Sequence, residues 1–131
     1  MIGLLIVTHC DLGKEFVSAA EFIVGKLEAV ETVSINEASD SERILKKIEA
    51  KISTLDQGQG VLILTDMFGG TPSNLSLSFL EKDSIEVLTG VNLPMIIAIA
   101  QNRSRLKLDE LAEQAQEAGK MSISLAGKLL E

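Results

Sequence analysis

Four short apolar runs, each followed by a longer segment with helical spacing, limit this chain more than any other feature. The runs are Ile2 to Thr8, Val30 to Ile35, Val61 to Thr65 and Ser84 to Thr89. The first and third carry almost no polar residue, so they suit strands covered on both faces. The second is more polar and rich in β-branched residues, which fits a sheet edge.

Between the runs, Lys14 to Leu27 places Phe16, Val17, Ala20, Ile23, Val24 and Leu27 on one helical face. Ser39-Asp40-Ser41-Glu42 matches a capping box ahead of a helix carrying Ile44, Leu45, Ile48, Ile52 and Leu55. Thr71 can cap a further helix, with Pro72 at its first position and Leu75 to Leu80 continuing it. After the loop Gly90-Val91-Asn92-Leu93-Pro94, Met95 to Gln101 predicts a short apolar helix, and Leu108 to Ala118 a polar helix stopped at Gly119. A last strand is expected near Met121 to Leu125.

Strands alternating with helices predict an α/β fold: a doubly wound, mostly parallel sheet with helices on both faces. At 131 residues the chain has the length of one domain, 1–131. In such sheets ligands bind past the carboxyl ends of the strands, where the strand order reverses. With the order 2-1-3-4 the reversal lies between the first and third strands. His9 and the segment Asp66 to Thr71 follow those two strands directly.

Composition narrows the chemistry. The formal net charge is −7. Residues 1–60 hold ten acidic and six basic side chains and residues 61–131 hold nine and six, so no basic stripe exists. Nucleic acid, which needs clustered Lys and Arg, is therefore an unexpected partner. One cysteine excludes an internal disulfide, and one histidine beside it excludes a zinc site built from thiolates and imidazoles within the chain. No metal or cofactor is expected. Met1 to Thr8 is too short to span a bilayer and lacks the basic flank of a signal peptide, so a cytoplasmic protein is the expectation.

His9 is the only imidazole, a nucleophile or base near neutral pH. Asp66 can accept a hydrogen bond from one ring nitrogen, fixing the tautomer and freeing the other nitrogen to attack. Asp11 is a rival partner in what reads as a solvated turn. Gly69, Gly70, Thr71 and Ser73 supply unobstructed amides, hydroxyls and a helix start, which suit a phosphoryl group. Blander readings stand beside each: a surface histidine, an aspartate capping its own loop, a Gly-Gly pair that only turns the chain.

Neither Gly-x-x-x-x-Gly-Lys-Ser/Thr nor Gly-x-Gly-x-x-Gly occurs, so no nucleotide site is indicated. Phe16 stands where a cysteine phosphatase loop beginning at Cys10 would need arginine. A two-component receiver would want acidic residues at positions 9 and 10. Cys10 is left as a packing residue.

Three segments, Gly3-Leu4-Leu5-Ile6-Val7-Thr8-His9, Gly60 to Asn74 with its Asp66-Met67-Phe68-Gly69-Gly70-Thr71-Pro72 core, and Gly90 to Met95, resemble the IIA domain of the mannose family of the bacterial phosphoenolpyruvate-dependent sugar phosphotransferase system. The resemblance implies a phosphocarrier in which His9 takes a phosphoryl group from the phosphocarrier protein HPr and passes it to a IIB protein. Membrane components IIC and IID then carry the sugar. It also implies that Asp66 hydrogen-bonds the imidazole, that Thr71 contacts the phosphoryl group, and that Nε2 is the phosphorylated nitrogen. The implied fold is a 2-1-3-4 parallel sheet with an antiparallel fifth strand exchanged within a homodimer. A related module serving dihydroxyacetone phosphorylation lacks the Phe-Gly-Gly-Thr-Pro pattern, which favours the sugar-transport branch.

Since the sequence stops at Glu131, the IIB partner is expected on a separate polypeptide. A docking rim around a phosphorylated histidine needs apolar contacts and few acidic ones, and Leu12, Met67, Phe68 and Leu93 are the candidates. A regulatory module signalling through the same histidine, and a flavodoxin-like domain with a ligand in its crevice, are the competing readings.

Overall fold

In the computed structural model, which describes residues 1–131, the four expected strands are β1 (Gly3–His9), β2 (Val30–Ile35), β3 (Val61–Thr65) and β4 (Ile85–Thr89). All pair in parallel, as the alternation predicts, and in the order β2-β1-β3-β4 that the resemblance implies. In register, Val7 lies opposite both Val33 and Thr65. The carboxyl ends of the two central strands therefore finish side by side.

Strand alternation sends residues of β1 and β3 into two separate cores. Leu4, Ile6, Leu62 and Leu64 pack with Ile96, Ile99 and Leu111 under helices α1 (Leu12–Val24), α4 (Leu93–Asn102) and α5 (Leu108–Met121). Leu5, Val7, Val61 and Ile63 pack with Ile44, Ile48 and Leu75 under α2 (Ser41–Leu55) and α3 (Thr71–Leu77). A strand that feeds both layers must be apolar throughout, which is why Leu4 to Val7 are all fully buried.

Several helix ends differ from the sequence pattern. The α2 cap is Asp40, whose carboxylate accepts from the Glu42 N–H at 3.2 Å, while Ser39 is engaged with Asn36 instead. Gly70 rather than Thr71 caps α3, so Thr71 and Pro72 both stand inside its first turn. Helix α4 begins at Leu93 because Asn92 caps it, accepting from the Met95 N–H at 3.0 Å. Gly119 does not stop α5: it is buried against α4, where a Cβ would lie 2.9 Å from Cε of Met95. The glycine there permits close helix packing, and the helix runs on to Met121.

No fifth strand forms. Residues 122–125 pair with none of the four strands, and Ala126–Leu129 coil into a short helix, α6. An extended segment has no hydrogen bonds of its own and becomes a strand only beside another. The expected antiparallel strand at Met121 to Leu125 is thus absent from the single chain. No helix is long and apolar enough to cross a membrane.

Candidate functional site: an imidazole held by a carboxylate

The parallel register of β1 and β3 puts the residues that follow each strand next to one another. His9 ends β1 and Asp66 is the first residue past β3. One carboxylate oxygen, Oδ2 of Asp66, accepts from the backbone N–H of His9 at 2.9 Å and contacts its Nδ1 at 2.8 Å. The other, Oδ1, accepts from the Met67 N–H at 3.1 Å. An ionised carboxylate only accepts, so Nδ1 carries the proton and Nε2 of the neutral ring keeps its lone pair.

Exposure separates the two groups. The His9 side chain is 48% exposed and that of Asp66 only 12%. Burial pushes the Asp66 carboxyl up, but the His9 backbone N–H, the His9 ring and the charge it carries when protonated pull it down further, leaving it below its ordinary value. A half-buried, ionised orienting group beside an exposed imidazole is the arrangement a histidine nucleophile needs.

The loop after Asp66 closes against the ring. Gly69 turns the chain with φ 84°, and Gly70 brings backbone to the imidazole edge. Thr71 is exposed at the start of α3, whereas Ser73 is fully buried and its hydroxyl has no hydrogen-bond partner. Of the two hydroxyls in the expected cradle, Thr71 is the one at the surface and Ser73 the one packed inside.

The rim candidates differ in how open they are to solvent. Phe68 is 75% exposed, Met67 57% and Leu12 44%, with Leu93 half-buried. Residues 67–80 and 87–102 contain no charged side chain, so beyond Asp66 the segments that follow β3 and β4 are uncharged. Asp11, Lys14, Glu37 and Asp40 are all on the β1 and β2 side. Asp11 does not reach the imidazole; it accepts from Ser34 Oγ at 2.8 Å and lies 3.7 Å from Lys14 Nζ.

Cys10, expected to pack, does not. It is exposed, with φ 50°, and its N–H donates to the Ile35 carbonyl at 2.7 Å. The tight turn out of β1 rotates its side chain away from the core, so it does not pack. Nowhere do three or more His, Cys, Asp or Glu residues converge as a metal site would require. Two clefts of about 470 and 480 Å³ open at the amino ends of the strands, near Gly58 and Ser84, away from His9.

Arg103 is a structurally important residue that the sequence pattern did not disclose. It is buried, and its guanidinium donates to the carbonyls of Ile2, Glu28 and Ala29, joining the starts of β1 and β2 to the end of α4. Burial lowers its pKa, an effect opposed by nearby Glu28. An arginine after an apolar helix carries no distinguishing signal in sequence.

The family model described as the PTS system fructose IIA component, EIIA-man, matches residues 3–116. The mannose-specific EIIAB component of Escherichia coli K12 is 32% identical over 93% of this chain, which spans 38% of that protein's length. The fructose-specific EIIA component of Bacillus subtilis is 26% identical over 100% of this chain and 90% of its own. Among solved structures, the phosphotransferase system component EIIA of Streptococcus agalactiae superposes with TM-score 0.88 at 27% identity, covering 98% of this chain and 99% of that one. The mannose/sorbose specific IIA subunit of Enterococcus faecalis gives TM-score 0.85 at 25% identity, covering 95% and 93%. With its strand order, its carboxylate-bound imidazole and these likenesses together, the chain belongs to the EIIA-man family, the IIA components of the sugar phosphotransferase system.

Proposed function

We propose that this protein is a phosphocarrier of a sugar phosphotransferase system, with His9 as the residue that takes and gives the phosphoryl group. The observation that carries the reading is the contact of 2.8 Å between Nδ1 of His9 and Oδ2 of Asp66, which leaves Nε2 unprotonated on an exposed ring.

The donor is phospho-HPr. The Nε2 lone pair attacks phosphorus as the donor's phosphorus–nitrogen bond breaks, and that bond's electron pair returns to the donor nitrogen. His9 keeps its Nδ1 proton throughout, so the phosphorylated ring is cationic, and the Asp66 carboxylate stabilises that charge. Thr71 Oγ1 and the backbone amides of Gly69, Gly70 and Thr71 hold the phosphoryl oxygens, since the first N–H groups of a helix lack partners within it. Transfer onward to a IIB domain reverses the same step. Met67, Phe68, Leu12 and Leu93 form the neutral rim on which both partners dock in turn, a small transient interface.

The reaction takes place at the cytoplasmic face of IIC and IID, which this protein meets only through IIB. Nothing in the site would touch a sugar, and its relatives are named for mannose, fructose and sorbose. A homodimer is part of the same reading, because Ile123, Leu125, Leu129 and Leu130 lie open on one chain.

Incubation with phosphoenolpyruvate, enzyme I and HPr tests the proposal. Labelled phosphate should enter the protein and be lost in His9→Ala. Undiminished labelling of His9→Ala would refute it.

A further inference from the structure

Gly70 has φ −80° and ψ 168°, extended backbone that any L-residue adopts. Its lack of a side chain is therefore not required by its own conformation. The constraint is space. A Cβ on Gly70 would stand 3.0 Å from Cε1 of His9, 3.3 Å from Cγ of Met67 and 3.6 Å from Nε2 of His9. Carbon atoms in favourable contact stay about 3.5–4.0 Å apart. The neighbouring Gly69 would meet nothing within 4 Å.

The imidazole is thus held at two edges. Asp66 binds it at Nδ1, and the bare backbone of Gly70 lies against the edge formed by Cε1 and Nε2. We propose that Gly70 is a positioning residue for phosphoryl transfer: by having no side chain, it lets the His9 ring settle into its bond with Asp66 while Nε2 stays presented to the partner. This rests on the reading of His9 as the phosphoryl acceptor.

A methyl group at position 70 has to displace either the ring or Met67. The ring is half-exposed and swings outward easily, which stretches the Nδ1–H bond to Oδ2. The second bond to Oδ2, from the His9 backbone N–H, does not depend on the ring and survives. The consequence is a folded protein whose imidazole no longer has one fixed tautomer.

Gly70→Ala tests this with two readouts. Nitrogen-15 chemical shifts of the unphosphorylated imidazole should report Nδ1–H alone in the wild type and a mixture of tautomers in the variant. Phosphorylation by phospho-HPr should slow by about ten- to a hundredfold, the scale of a misplaced reacting group. A wild-type rate, or a slowed rate with the ring still locked as Nδ1–H, would overturn the proposal. Should Gly70→Ala fail to fold, His9→Ala/Gly70→Ala, which removes the ring, must fold, since the tightest contact is with the ring and the Met67 side chain is exposed and free to move aside. Failure of that double variant also overturns it. A wild-type protein that takes no label on His9 refutes the phosphocarrier reading alone, because the tautomer is read without phosphorylation.

Discussion

A single oxygen, Oδ2 of Asp66, fixes both the backbone and the ring of His9. Asp66→Asn keeps the shape but removes the charge, and its amide nitrogen can donate to Nδ1, shifting the proton to Nε2. Transfer from phospho-HPr should fall by about 10²–10⁴-fold, the range seen when an orienting carboxylate is neutralised; single-turnover kinetics measure it. The depressed Asp66 pKa also sets a pH dependence. A carboxylate stabilised in the folded state contributes above its unfolded value, near 3.8, and loses that contribution as pH falls through the lower folded value. The stability difference between wild type and Asp66→Asn should therefore hold near neutrality and shrink in acid unfolding experiments below about pH 4. A difference that is flat with pH would remove the electrostatic account. Phe68→Asp places a charge on the proposed docking rim and should slow transfer without lowering the melting temperature.

At the scale of elements, much was legible because the rules involved are local. The apolar runs gave β1 and β3, and the parallel pairing brought His9 beside Asp66, since His9 ends β1 two residues past Val7, the partner of Thr65, and Asp66 follows Thr65. What escaped prediction depends on contacts between elements. Gly119 reads as a helix stop until Met95 is seen packed against it, and Thr71 reads as a cap until the turn through Gly69 gives that place to Gly70. Arg103 is the plainest case, because its partners are carbonyls about 75 to 100 residues earlier in the chain. Arg103→Met should cost about 2–4 kcal/mol in chemical denaturation, since carbonyls of Ile2 and Glu28 lose a charged donor in a buried setting. Arg103→Lys should recover only part of that, as one ammonium cannot reproduce the guanidinium fork.

The whole molecule divides into a sheet covered by helices on both faces and an exposed tail. Sheet edge β4 has a neighbour on one side only, and from the last residue of α5 onward Met121, Ile123 and Leu125 are each more than 60% exposed. The antiparallel strand implied by resemblance does not form on that edge, and residues 122–125 pair with no strand. In the proposed homodimer, sedimentation velocity of the full chain should give a dimer, and Ile123→Asp/Leu125→Asp should shift it to monomer. A monomer for both would leave the tail without that role. Net charge matters less than its placement: the −7 total spares residues 67–80 and 87–102. An overall acidic protein can then present a neutral face around its histidine.

The central claim concerns one atom. Nitrogen-15 labelled protein, phosphorylated through enzyme I and HPr, can be read by NMR for coupling between phosphorus and each imidazole nitrogen. The expected result is coupling to Nε2 of His9 with the proton retained on Nδ1. Phosphorus coupled to Nδ1, or bound at another residue, would contradict it.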